Sequence, residues 1–267
     1  MRKLQNLFIM ALFVLMSSTV IQAGKIGIIE KNALKLGGQM SNVRLMLETY
    51  AMIGIGIPYS KPEELLKKSM AEYESVLNSL EKEFKDEAIQ SSIKRSRAAW
   101  KPVKEALLTA STSKDKELLK KEAQFVHDNI RSVIKELASS KKYLLQKAKL
   151  KNGDVLNASI EIGASARRLS SHYMMRLWKL PDPTIEKHWK NGLKIYNDSI
   201  NTLKKSSFAS DPSFKKYLDS TSRELRYFNM LDSMKSGHVP TLVHKKAEKV
   251  YREANEMSRI ILSNSGK

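Results

Sequence analysis

Apolar residues return every three or four positions through most of the chain, the spacing that puts them on one face of an α-helix. Leu66, Met70, Tyr73, Leu77 and Leu80 form one such seam. Ile89, Ile93, Ser96, Trp100 and Val103 form a second, and Leu119, Ala123, Val126, Ile130, Val133 and Leu137 a third. Strand-like alternation is scarce. The pattern predicts helices over about 26–57, 62–86, 88–111 and 114–149, then about 155–180, 183–206, 212–235 and 240–263. Ser60-Lys61-Pro62-Glu63 reads as a capping box, and Asp182-Pro183 and Asp211-Pro212 as capping carboxylates ahead of a first-turn proline. Gly54 and Gly56 sit where the first helix should end. Lys151-Asn152-Gly153-Asp154 marks the mid-chain break.

The second half repeats the seams of the first at a near-constant offset of 123 to 125 residues. Trp189, Leu193, Tyr196, Ile200 and Leu203 follow the first seam. Phe214, Leu218, Thr221, Leu225 and Phe228 follow the second, with Thr221 in the place of Ser96. Val243, Ala247, Val250, Ala254, Met257 and Ile261 follow the third. Any two amphipathic helices can be slid into register, but three matches in the same order argue for duplication. The expectation is an all-α protein of two tandem antiparallel four-helix bundles arising from an internal duplication, spanning 24–150 and 151–267.

Composition agrees with helices, since only 11 of 267 residues are glycine and 7 proline. Charge adds a functional hint. Lys and Arg number 47 against 28 Asp and Glu, a net +19 carried by both halves, which favours anionic partners. Met1-Arg2-Lys3, the apolar run from Leu7 to Met16 and a small residue at Ala23 follow the order of a secretory signal over 1–23, with a mature chain starting at Gly24 in the periplasm. Export argues against a nucleic-acid partner. Cysteine is absent, which excludes disulfides and thiolate ligands.

Enzyme signatures are missing. His127, His172, His188, His238 and His244 show no paired spacing on one helical face, so no metal site is expected. No glycine-rich phosphate loop occurs, and the methionines are spaced as core filler. No cofactor and no catalytic residue are expected.

The first helix of each half differs from the rest by carrying Arg, Ser, Asn or Gln beside its apolar seam. Those segments are Leu36 to Met46 and Ile162 to Arg176. The second resembles the Ala-Gly-x-x-Arg-Met-Leu-Ser-Gln-Arg-Met signature of the PilJ-type sensory domain, the N-terminal module of type IV pili methyl-accepting chemotaxis transducers, related to nitrate/nitrite sensor domains. Arg167, Leu169 and Ser170 match it directly. The first resembles a degraded copy that keeps Met40 and Arg44, and Tyr50 to Gly56 resembles the Tyr-x-Leu-Ile-Gly-Leu-Gly continuation. Gln39 stands where the first copy should carry a signature arginine, and His172 where the second should.

The resemblance implies first-helix arginines that face a bundle or dimer axis and hold a small anion such as nitrate or nitrite. The ligand set it suggests is Arg44, Arg167, Arg168, His172, Gln39 and Ser170. Guanidinium forks suit planar oxyanions, and a protonated His172 would add a donor. The expected function is a non-catalytic, sensor-like exported protein that binds a small anion or relays to a membrane signalling partner, with a homodimer compatible. The competing reading is a structural or scaffold protein that binds another envelope protein or an acidic surface.

Overall fold

The computed structural model describes the backbone of residues 2–148, 150–233 and 239–264. Side chains are described within these ranges from residue 27 onward, except at 148 and 233. The secretory signal expected over 1–23 lies outside the described side chains, and His238 lies outside the described residues altogether. Among the described residues the chain is helical with no strand: α1 (Arg2–Ile55), α2 (Pro62–Glu83), α3 (Glu87–Ala110), α4 (Lys116–Ala148), α5 (Gly153–Leu177), α6 (Thr184–Lys204), α7 (Pro212–Ser233) and α8 (Pro240–Asn264), with a 3-10 turn over Ser207–Ser210. Among the residues whose side chains are described, from 27 onward, no helix is long and apolar enough to cross a membrane.

Local chemistry ends these helices as the sequence suggests, with two corrections. Gly56 adopts φ +85°, its amide bonds the carbonyl of Ile53 at 3.0 Å, and the Ile57 amide reaches Met52 at 2.9 Å. This closes α1 in a Schellman turn. The Asp211 carboxylate accepts from the Phe214 amide at 2.8 Å. Asp182 accepts from the Thr184 amide at 2.8 Å, but Pro183 and not Asp182 holds the cap position of α6, so the proline precedes the first turn instead of lying in it. The capping box at Ser60 does not form. Lys61 takes the cap position at φ 49° with no side-chain bond, because a residue preceding proline is pushed out of the helical region and Ser60 is left one position too early.

Every seam position named above is buried except Leu193, which is half-buried. Helices α1 to α4 share one hydrophobic core and α5 to α8 another. The two are not independent. Met174, Met175, Trp178 and Ile185 from the second half pack into the first core, and α1 lies along α5. Gly54 lets Trp178 press against the α1 backbone, and Gly37 does the same for Ile160. Over residues 32–53 of α1 and 156–175 of α5 the helices are therefore enclosed on nearly all sides. Their polar side chains must find partners inside the protein, or remain unpaired at a cost.

Candidate functional site

Consecutive residues on a helix diverge by about 100°, and Arg167 and Arg168 accordingly leave α5 in different directions. Arg167 turns toward α1 and α8. Its Nη1 lies 3.4 Å from Glu48 Oε2, and its guanidinium lies 5.9 Å from the centre of the Tyr251 ring. Glu48 is fully buried and also accepts from Ser170 Oγ at 2.5 Å and from His244 Nδ1 at 2.7 Å. Burial would raise the Glu48 carboxyl, but His244, Arg167 and Ser170 together hold it below its ordinary range. Arg167 and Ser170 are thus committed to a buried carboxylate.

Arg168 faces the other way, into a cavity of about 520 Å³ bounded by α1, α4, α5 and α6. Arg44 and His172 also line it. Arg44 is 2% exposed and anchors Nη1 on the carbonyl of Ala164 at 3.0 Å, while its Nη2 has no partner. Arg168 Nη1 is likewise buried without a partner. Burial pushes the Arg44 guanidinium down to about 9, with Arg168 adding to the effect and Glu161 opposing it. The group stays charged at neutral pH. Glu161 is the acidic residue of the wall, and Lys141 already pairs with it.

Three histidines from three helices complete this wall. His127 of α4, His172 of α5 and His188 of α6 all line the cavity, with ring centres 5.3, 5.6 and 5.9 Å apart. The Nε2 atom of each is buried without a hydrogen-bond partner. His127 Nδ1 bonds the Asp182 carboxylate at 2.7 Å, and His172 Nδ1 the Arg168 carbonyl at 2.7 Å. Burial lowers His127, takes His172 well below 6.5 and, with Arg131 and His127 nearby, takes His188 to about 4. His172 is therefore a neutral ring rather than the charged donor expected from the sequence. Among the described residues, no three His, Asp or Glu groups are arranged to hold a metal ion.

Of the six residues singled out in the sequence, the structure gathers Arg44, Arg168 and His172 at one cavity. It places Arg167 and Ser170 on Glu48. Gln39 lies apart, where its Oε1 accepts from Asn42 Nδ2 at 3.0 Å while Asn42 also reaches the Ser69 carbonyl at 2.9 Å. No family model, curated protein or solved structure matches this chain. The cavity must therefore be read from its own chemistry. It offers two buried guanidinium donors without partners, neutral imidazoles, and an apolar wall that includes Ile130, Ile134 and Ile195. His127, His188, Asp182, Glu48 and His244 were not selected from the sequence as site residues. They come from four helices and, for Asp182, the connection between α5 and α6, so no local spacing announces their meeting.

Proposed function

We propose that this is an exported, non-catalytic, sensor-like protein that binds a small anion in the cavity between α1, α4, α5 and α6. The observation that carries this reading is the pair of buried, unpartnered guanidinium nitrogens, Arg44 Nη2 and Arg168 Nη1, on two residues that line one cavity. A buried guanidinium N–H without an acceptor is costly, and an oxyanion accepting from both arginines would relieve that cost. Exposed Arg131 and Lys135 at the same wall raise the local concentration of anions.

The reading includes two PilJ-like four-helix bundles derived by duplication, and two observations support it. Arg44 and Arg168 are separated by 124 residues, an offset within the range that relates the seams. The buried Tyr73 hydroxyl lies 2.8 Å from Ser96 Oγ, and the buried Tyr196 hydroxyl donates to the Thr221 carbonyl at 2.9 Å, so equivalent seam positions pair in both halves. In this reading the protein works in the periplasm and passes its ligand state to a membrane signalling partner.

The test is thermal melting of the protein titrated with nitrate, nitrite, sulfate and phosphate. A ligand that binds only the folded state must raise the melting temperature, by an amount that corresponds to about 2.7 kcal/mol at a hundredfold excess over Kd. The shift should vanish in Arg168→Ala, whose ligand-free melting temperature should stay level or rise because a guanidinium nitrogen buried without an acceptor is removed. No shift with any anion, in either protein, would move the reading to a scaffold.

A further inference from the structure

The cavity selects for more than negative charge. Arg44 and Arg168 supply N–H donors, but His127 and His172 supply the opposite. Their Nδ1 atoms face the Asp182 carboxylate and the Arg168 carbonyl, oxygens that only accept, so the ring hydrogen of each sits on Nδ1. The Nε2 of a neutral ring then carries a lone pair, and in both residues it is buried with no partner. A ligand that satisfies this wall must accept from the arginines and donate to an imidazole.

Nitrate does only half of this. All its oxygens are acceptors, so it leaves the imidazole lone pairs unsatisfied. It is also small for the space: about 520 Å³ falls within the range of pockets that hold ordinary small-molecule ligands. Much of the remaining wall is apolar, contributed by Met40, Leu47, Ile130, Ile134, Ala138 and Ile195. An ammonium group could donate to the histidines, but it would enter beside Arg44, Arg131, Lys135 and Arg168, with Glu161 already neutralised by Lys141. A hydroxyl donates without that repulsion.

The geometry points to a hydroxy-substituted carboxylic acid with an apolar body as the ligand of this cavity. Its carboxylate accepts from Arg44 and Arg168, its hydroxyl donates to Nε2 of His172, and its carbon body lies against the isoleucines of α4 and α6. His172 stands one helical turn beyond Arg168 on α5, so the two polar groups of the ligand belong close together, as in a 2-hydroxy acid. This inference rests on the anion-binding reading above and narrows it.

Calorimetric titration of the protein near neutral pH with mandelate, phenylacetate and nitrate separates the two. Mandelate and phenylacetate share a ring and a carboxylate and differ by one hydroxyl. Mandelate should bind about tenfold or more tighter than phenylacetate, because the hydroxyl satisfies a buried acceptor, and nitrate should bind weakest. In His172→Phe the advantage of mandelate over phenylacetate should disappear. If the larger ring lowers the ligand-free melting temperature, His172→Leu reads the same difference. Phenylacetate or nitrate binding as tightly as mandelate would overturn this inference and leave anion binding standing. A mandelate advantage that survives both substitutions would overturn it as well, and no binding by any of the three, together with no melting shift from the inorganic anions, would overturn both readings.

Discussion

Glu48 Oε1 and His244 Nδ1 are 2.7 Å apart although the residues are separated by 196 positions in the chain. Glu48 belongs to α1 and His244 to α8, so this contact ties the first helix to the last across α5. Arg167 and Ser170 of α5 meet the same carboxylate, and all four side chains are buried. The arrangement shows why the two helical groups form one molecule: a charge buried on one half is satisfied by donors from the other.

Glu48→Ala should destabilise the protein by about 3–5 kcal/mol in chemical denaturation, the cost of stripping one partner from a buried ionic group. Because the folded carboxyl sits below its ordinary value, its stabilising contribution is complete above the ordinary carboxylate range and is lost as pH falls through the lower folded value. The wild-type protein should therefore lose stability on strong acidification, and the variant should lose less over the same interval. Equal acid sensitivity of the two proteins would contradict the assignment.

The histidine cluster works in a different pH window. His127, His172 and His188 bind protons less readily folded than unfolded, so below the unfolded value of 6.5 the unfolded chain takes up more protons. Stability contributed by these neutral rings is present above 6.5 and is lost as pH falls toward their folded values. Melting temperature should drop between pH 7 and pH 5, and the double variant His172→Leu/His188→Leu should flatten that slope. A melting temperature independent of pH over this interval would contradict the buried neutral cluster.

Gly54→Ala should cost about 1–3 kcal/mol by overpacking. An added Cβ would lie 2.1 Å from Cζ2 of Trp178, a ring packed into the first core from the end of the second group's first helix. Equilibrium unfolding measures the loss, and Gly38→Ala is the control, because its Cβ would meet only the Tyr251 hydroxyl oxygen, at 3.5 Å. Equal loss in both would argue against the Trp178 contact.

Limited proteolysis should cut first at the turn before Gly153, where the backbone leaves its helix at Leu150, Lys151 and Asn152. From the sequence, such a nick would be expected to release two helical pieces. The packing of α1 on α5 and the Glu48 contacts predict that the pieces stay together until denatured, so size exclusion after nicking should show one intact particle. Two separated particles would mean that the contact between the halves is weak.

What the sequence determined by itself is the helices and their buried faces. The spacing of Leu66 through Leu80 and of Phe214 through Phe228 follows the 3.6-residue turn, a local property, and those faces are buried as read. Gly56 and Asp211 likewise act through bonds to near neighbours, which is why their roles were legible. Even Ser60 failed for a local reason, the proline two residues on. The tertiary structure alone decided the site. Arg167 and Arg168 look alike in the sequence, and only the placement of α5 against α1, α4, α6 and α8 gives one of them a carboxylate and the other an open cavity. The same holds for His127, His172 and His188. Burial and partners are set by helices distant in the chain, and these distinguish a buried ion pair from an unfilled set of donors and acceptors.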